Sequence, residues 1–194
     1  MSTLSLCVYC GSRTGERPEF AAAAREVGDW IARNGWRLVY GGGRAGLMGV
    51  VADAALAGGA TVIGVIPTSL MQRELGHTAV TELHVVETMH QRKQKMAELS
   101  DAFVALPGGI GTFEELFEVW TWRQLGYHDK PIGLLNLDGY YDLLLSFIEQ
   151  STRCGFMDPR QQALLQVHKT VSPLLDALSV LAVRATAADD YRLI

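Results

Sequence analysis

The chain has 194 residues and a formal net charge of −4, so it can bury a domain core but offers no overall basic field to nucleic acid or membranes. No run of residues is apolar for long enough to span a bilayer. The first residues lead into a strand-like segment without a basic region or a signal-type cleavage site, so we expect a cytoplasmic protein.

Strand-like and helix-like segments alternate along the chain, as judged from the spacing of apolar residues. Strands are predicted at residues 6–10, 36–40, 61–66, 82–86, 102–106, 132–135 and 167–171. The first predicted helix begins at Pro18 and stops at Gly35, and the second follows the glycine loop at 41–46 and ends at Leu56. Further helices are predicted at 89–100, after the glycine turn that follows residue 106, at 140–154 and at 173–183. This order predicts an α/β fold: a Rossmann-like open parallel sheet with helices on both faces. We expect a single domain over residues 1–185 and a loose tail over 186–194.

Two cysteines, Cys7 and Cys10, form a CxxC pattern. A redox pair would stand at a strand-to-helix turn, but these residues lie within the first apolar run, so buried strand positions are the better interpretation. Cys154 has no obvious sequence partner, and no disulfide is expected.

The most informative stretch reads PGGIGTFEE and occupies residues 107–115. It lies between a short apolar strand and a helix, so Gly108, Gly109 and Gly111 let the backbone turn tightly and approach a ligand. The N–H groups of the first helical turn then favour an anion, and Thr112 could cap the helix or add its hydroxyl to the same anion. The pattern predicts a phosphate cradle with Glu115 at its edge, although a capped glycine turn alone would have the same composition.

Two further loops are expected at the same edge of the sheet, because ligands of open parallel sheets bind beyond the carboxyl ends of the strands. The first, at residues 11–13, offers Ser12 and an arginine. The second, at residues 41–46, contains Gly43 and matches G-x-G-x-x-G, which is weak support by itself. The strand that follows ends at Pro67 without the carboxylate that would hold a dinucleotide ribose. The loops therefore favour one mononucleotide over NAD.

The helix predicted at residues 89–100 carries an arginine on its apolar stripe. Arg92 lies three residues after Met89 and four before Met96. A core-facing arginine is costly unless it is paired, so we expect a carboxylate or a bound phosphate beside it. Lys93 is adjacent and could turn toward the same anion.

The helix after the turn has two unlike faces. Its core face is expected to carry Phe113, Leu116, Phe117 and Trp120. The other face carries Glu115, Val119 and Trp122, and we expect a ligand or a partner subunit to cover it. Thr121 lies one to two turns beyond the cradle and could point to either.

The motifs resemble those of the LOG ("Lonely guy") family, the cytokinin-activating nucleotide phosphoribohydrolases. Residues 107–115 match the family signature PGGxGTxxE, and MHQRK at residues 89–93 is similar to its second motif. The resemblance extends through CGSR, YGGGRAGLMG and LGYHDKPIGLLN, and so covers nearly the whole chain. Family members are often labelled lysine decarboxylases, but no lysine here stands in a recognisable pyridoxal-phosphate context.

The resemblance implies hydrolysis of the N-glycosidic bond of an adenosine 5′-monophosphate, AMP or N6-prenyl-AMP, to free base and ribose 5-phosphate. It implies that Arg92 and Glu115 are the catalytic pair. It further implies that the nucleotide is held by the turn, with added contacts from elsewhere: Gly109, Ile110, Gly111 and Thr112, then Lys93, Glu74 and Thr121. It also implies a homodimer with sites near the subunit interface.

These residue types suit the implied chemistry. Cleavage of a ribosyl C–N bond develops positive charge on the sugar, and a carboxylate such as Glu115 stabilises that charge or orients water. No metal is expected, since no His/Cys/Asp cluster has ligand spacing, and no cofactor is expected for this hydrolysis. Two alternatives stay open: a module that senses AMP-like nucleotides without turnover, and a general purine nucleotide nucleosidase in salvage.

Overall fold

One sheet of seven parallel strands organises the protein. The computed structural model describes residues 3–71, 76–185 and 189. The strands are β1 Ser5–Tyr9, β2 Arg37–Tyr40, β3 Val62–Pro67, β4 Glu82–Val86, β5 Ala102–Ala105, β6 Ile132–Leu135 and β7 Leu165–His168. Their order across the sheet is β4-β3-β2-β1-β5-β6-β7, and every neighbouring pair is parallel. The predicted open parallel sheet is therefore confirmed.

Helices cover both faces of the sheet. They are α1 Pro18–Arg33, α2 Gly46–Ala57, α3 Thr68–Met71, α4 Met89–Glu98, α5 Ile110–Gln124, α6 Asp142–Arg153, α7 Pro159–Gln162 and α8 Val171–Arg184, with a 3-10 turn at Leu137–Gly139. Side chains alternate between the faces of β1, so Leu6 and Val8 join the core under α1, α2 and α8. Cys7 and Tyr9 join the opposite core, under α4, α5 and α6. None of the helices described is long and apolar enough to cross a membrane.

The glycine loops meet at the carboxyl edge of the sheet, as predicted. The strand order reverses between β1 and β5, and the loops after these two strands touch: the Gly11 N–H donates to the Pro107 carbonyl at 3.1 Å. The Leu47 N–H at the start of α2 donates to the Gly11 carbonyl at 3.0 Å and joins the loop after β2 to the same place. A crevice at such a reversal point is where parallel sheets bind ligands.

The last strand lies earlier than predicted. Strand β7 begins at Leu165, which pairs with Ile132, and it ends at His168. Val171 is not its last residue but the first residue of α8, and it is buried among the core residues of that face. Apolar runs at a strand–helix boundary fit both periods, so the periodicity alone did not locate the junction.

The predicted division of α5 into a core face and an outer face is wrong. Val119 and Trp122 are 1% and 5% exposed and belong to the core, whereas Phe117 is 36% exposed. The chain itself covers this side, because the segment after α5 folds back over it: the His128 Nε2–H donates to the Val119 carbonyl at 3.0 Å. Burial of Val119 and Trp122 therefore needs no partner subunit.

All three cysteines are free. Cys7 and Cys10 are buried, and burial raises the pKa of both thiols, that of Cys7 to about 12. This confirms a buried position within β1 for Cys7, whereas Cys10 is buried directly after that strand. Buried thiols of raised pKa argue against a redox pair.

The proposed boundary between a domain over residues 1–185 and a tail over 186–194 stays a prediction, because most of that tail lies outside the described residues. Asp189 is described, and its carboxylate pairs with the Lys130 ammonium at 2.6 Å.

Candidate active site

A cavity of about 510 Å³ opens at the carboxyl edge where the strand order reverses. Its walls come from the loop after β1, the start of α2, the turn after β5 with the first part of α5, and single residues of α1, of α4 and of the segment before α6. The lining residues are Cys10, Gly11, Ser12, Arg13, Thr14, Gly15, Phe20, Leu47, Met48, Arg92, Pro107, Gly108, Gly109, Ile110, Gly111, Thr112, Glu115 and Tyr140. The cavity therefore brings together eight of the twelve predicted site residues.

The backbone of the turn after β5 lies directly against the backbone of the loop after β1. A Cβ atom on Gly108 would stand 2.9 Å from the Gly11 nitrogen and would overlap the Thr112 hydroxyl, so only glycine fits there. Helix α5 begins at Ile110, and the first N–H groups of a helix have no acceptor within it. The turn thus presents backbone donors at the cavity, as a phosphate cradle requires.

Thr112 does not cap this helix. The N-cap is Gly109, and no side chain accepts a hydrogen bond there. Thr112 is the third residue of α5 and is buried against Gly108. A glycine N-cap leaves the space in front of the helix open, and the Thr112 side chain remains part of the cavity wall.

Arg92 is buried beneath the cavity, as its place on the apolar stripe of α4 predicted. Its Nε–H donates to the Val65 carbonyl of β3 at 3.2 Å, and its Nη2–H donates to the Gly41 carbonyl after β2 at 3.3 Å. A Cβ atom on Gly41 would overlap Nη2 and stand 3.0 Å from Cζ, so the missing side chain at Gly41 makes room for the guanidinium. The backbone of two strands therefore fixes the cation in place.

Glu115 supplies the carboxylate that a core arginine needs. Its Oε1 lies 3.7 Å from Arg92 Nη2, and the side chains of Arg92 and Glu115 are only 7% and 10% exposed. The charged pair lies at the cavity wall, one helical turn after Gly111. This arrangement places a carboxylate and a guanidinium beside a set of backbone donors, which matches the needs of a phosphorylated sugar that becomes cationic.

Lys93 does not line the cavity. Its ammonium donates to Glu114 and, at 2.9 Å, to Glu118, both on α5. Burial alone would lower the pKa of Lys93, but these hydrogen bonds raise it above its ordinary value. Burial raises the pKa of the Glu118 carboxyl, and the hydrogen bond from Lys93 opposes that rise. The group ties α4 to α5 next to the Arg92–Glu115 pair.

Two other predicted residues, Thr121 and Gly43, do not line the cavity. Thr121 is exposed, and its hydroxyl donates to the Phe117 carbonyl one turn back at 2.7 Å. Gly43 is buried and forms an isolated antiparallel bridge with Gly76. Glu74 lies outside the described residues, so its place is not assigned.

Sequence reasoning missed Tyr140, which lines the cavity and donates its hydroxyl hydrogen to the Gly108 carbonyl at 2.6 Å. It also missed the apolar wall formed by Phe20, Leu47 and Met48. A tyrosine after an Asp-Gly turn has no local feature that points to a glycine 32 residues earlier. Apolar residues at helical spacing are expected in the core, so nothing marked these three as wall residues.

The family comparison agrees with the motifs. A family described as "Possible lysine decarboxylase" matches residues 48–178. A pyridoxal-phosphate decarboxylase holds its cofactor on a lysine side chain, whereas the described residues that line this cavity include two arginines but no lysine.

The chain is also similar to named plant proteins. It is 50% identical over 173 residues to the cytokinin riboside 5′-monophosphate phosphoribohydrolase LOG3 of Arabidopsis thaliana, covering 89% of this chain and 80% of that protein. It is 54% identical over 154 residues to LOG1 of the same plant, covering 79% and 72%. A probable enzyme of the same name from Oryza sativa subsp. japonica, LOGL6, is 49% identical over 179 residues, covering 92% and 72%.

Solved structures share the fold. The molybdenum cofactor carrier protein of Chlamydomonas reinhardtii superposes with a TM-score of 0.71 at 23% identity, covering 94% of this chain and 99% of that one. The molybdenum cofactor binding protein of Rippkaea orientalis gives 0.72 at 22% identity, covering 93% and 98%. Identities this low indicate a common architecture only. With a family match over most of its length and relatives about half identical to it, the chain belongs to the LOG family.

Proposed function

We propose that this protein is a cytokinin riboside 5′-monophosphate phosphoribohydrolase, which hydrolyses the N-glycosidic bond of N6-modified adenosine 5′-monophosphates. The products are the free base and ribose 5-phosphate. One observation carries the proposal: a buried carboxylate–guanidinium pair, Glu115 with Arg92 at 3.7 Å, stands beside the glycine turn in a single cavity. The relatives that share about half of the sequence carry this enzyme name.

Glu115 is the proposed electrostatic and water-orienting group. Departure of the base develops positive charge on the ribose ring, and a preorganised carboxylate lowers the energy of that state. Arg92 keeps the carboxylate in place and is itself held by two backbone carbonyls, so neither group has to reorganise when substrate binds. Arg92 also suits the phosphate or the departing purine, because its donors form a fork.

The substrate phosphate is assigned to the turn. Ser12 lines the same cavity as the residues of the turn, which are Gly108, Gly109, Ile110, Gly111 and Thr112, and α5 begins within that turn at Ile110. Lys93, Thr121 and Glu74 stay proposed contacts because of the family resemblance, and Gly43 stays one because of its place in the glycine loop after β2.

The test is a product assay with a substrate series. Purified protein is incubated with N6-prenyl-AMP, AMP, GMP, CMP and the matching nucleosides, and ribose 5-phosphate and free base are quantified. We expect release from N6-prenyl-AMP and little from its nucleoside, because charge-assisted contacts to phosphate contribute about 1.5–3 kcal/mol each. Binding without release would identify a nucleotide sensor, and equal release from all purine nucleotides would identify a salvage nucleosidase.

We also propose a homodimer, as the family resemblance implies. Val119 and Trp122 were expected to need a cover from a ligand or a partner subunit, but both are buried within one chain and so do not support a dimer. Other apolar side chains on the same side of the sheet are exposed, namely Ile110 at the cavity and Leu143 and Phe147 on α6. Light scattering should give twice the 21.2 kDa of one chain, and the mass of a single chain at micromolar concentration would contradict the dimer.

A further inference from the structure

Two consecutive tyrosines, Tyr140 and Tyr141, donate hydrogen bonds to the backbone of the segment that connects β5 to α5. The Tyr140 hydroxyl donates to the Gly108 carbonyl at 2.6 Å, and the Tyr141 hydroxyl donates to the Leu106 carbonyl at 2.7 Å. Both acceptors belong to the segment that leads into α5. The orientation of two of its peptide groups is therefore set by side chains that come more than 30 residues later.

The two hydrogen bonds have different consequences for the backbone. In a trans peptide the carbonyl and the following N–H point in opposite directions. The Gly108 carbonyl shares its peptide with the Gly109 N–H, so the Tyr140 hydroxyl also fixes the direction of that donor. The Leu106 carbonyl shares its peptide with Pro107, which has no N–H. Tyr141 therefore orients a peptide that has no donor to offer.

The ring of Tyr140 is itself held on two sides. It packs edge-to-face against Phe20 of α1 at 5.5 Å and against Tyr141 at 4.8 Å, measured between ring centroids. Its backbone N–H donates to the Leu137 carbonyl at 3.0 Å. These contacts aim the hydroxyl at Gly108 before any ligand arrives, so the donor it controls is preorganised.

We propose that Tyr140 is a positioning residue for phosphate: its hydroxyl orients the Gly109 N–H and so contributes to the preference for a nucleotide over a nucleoside. The proposal rests on the function proposed above, in which the glycine turn binds the substrate phosphate. It adds a residue outside the family motifs to that site and gives it a role distinct from that of its neighbour Tyr141.

Tyr140→Phe tests this, since it removes the hydroxyl and keeps the ring contacts. Titration calorimetry with ribose 5-phosphate should show a dissociation constant about tenfold higher than that of the wild-type protein, the scale of one hydrogen bond. The dissociation constant for adenosine should stay within about twofold, because adenosine carries no phosphate. With N6-prenyl-AMP as substrate, KM should rise while kcat changes little.

Tyr141→Phe is the matched control, since it also removes one tyrosine hydroxyl that donates to a backbone carbonyl of the segment before α5. It should lower the melting temperature and leave the dissociation constant for ribose 5-phosphate unchanged. Equal weakening in both variants would mean a merely structural role and would overturn the proposal, as would unchanged affinity in Tyr140→Phe. A wild-type protein that binds ribose 5-phosphate no better than ribose would overturn it too.

Calorimetry also separates this proposal from the proposed function. If the wild-type protein releases no ribose 5-phosphate from any nucleotide, the enzymatic function fails. Selective loss of ribose 5-phosphate affinity in Tyr140→Phe would still support the positioning role.

Discussion

Replacement of Gly41 by alanine should disable the enzyme through Arg92. The added methyl group would overlap Arg92 Nη2 and stand 3.0 Å from Cζ, so the guanidinium must move away from its present position. Gly41 has no left-handed backbone that would exclude alanine, so the damage is confined to that contact. Displacement breaks the hydrogen bond to the Gly41 carbonyl and moves the guanidinium away from Glu115.

The expected losses of stability and of turnover in Gly41→Ala follow from these contacts. A crowded methyl group in a packed interior costs about 1–3 kcal/mol and the loss of one charge-assisted hydrogen bond about 1.5–3 kcal/mol, so together they lower the free energy of unfolding by about 2.5–6 kcal/mol. Loss of a preorganised charge from the site lowers turnover by about 10²–10³-fold. Single-turnover release of ribose 5-phosphate measures the second effect, and urea unfolding measures the first.

A double-mutant cycle isolates the route of the damage. In an Arg92→Ala background the two nearest atoms are gone, and the next atom that the methyl group at Gly41 meets is the sulfur of the flexible Met48 side chain, 3.3 Å away. Gly41→Ala should then cost less than about 0.5 kcal/mol and should not lower turnover further. Strictly additive effects, or normal turnover in Gly41→Ala alone, would refute the idea that Gly41 acts by making room for Arg92.

Three other outcomes are expected. Glu115→Gln should reduce turnover by at least about 10²–10³-fold and leave nucleotide affinity intact, since the charge that stabilises a cationic sugar is lost. Glu114→Gln is the control, because Glu114 lies on the exposed side of the same helix turn. It should change the single-turnover release of ribose 5-phosphate little. Burial lowers the pKa of His128 from 6.5 to about 4, so the unfolded chain binds a proton in this range and the folded chain does not. Stability by urea unfolding should fall by about 3 kcal/mol as the pH drops through that window, and His128→Asn should flatten the dependence. A thiol reagent should modify Cys154 alone in the native protein, because the other two cysteines are buried, and all three thiols after denaturation; a second native thiol reacting at the same rate would contradict that burial.

Local spacing was enough to locate the charged pair, but not its surroundings. Helical periodicity put Arg92 on the apolar stripe of α4, where a partner was required, and Glu115 stood in a recognisable turn. The carbonyls that hold Arg92 belong to Gly41 and Val65, 51 and 27 residues earlier. These contacts depend on the strand order, which is a property of the whole sheet and leaves no periodic trace.

The faces of α5 show the limit of the same method. Periodicity divides a helix into sides but cannot tell how many sides are covered. Val119 and Trp122 were assigned to an outer face, yet the segment around His128 returns over them. Tyr140 was overlooked for a related reason, since its importance comes from a contact made across the fold.

The seam between β1 and β5 separates the two members of the charged pair. Arg92 donates hydrogen bonds to backbone carbonyls at β2 and β3, in the half of the sheet that is built from residues before Leu99. Glu115 belongs to the helix that follows β5, in the other half. A fragment of the first half would contain a guanidinium without its carboxylate, and a fragment of the second would contain the glycine turn and the carboxylate without the guanidinium. Neither half alone contains the charged pair, so two separately made fragments would have to associate through the β1–β5 ladder to restore it.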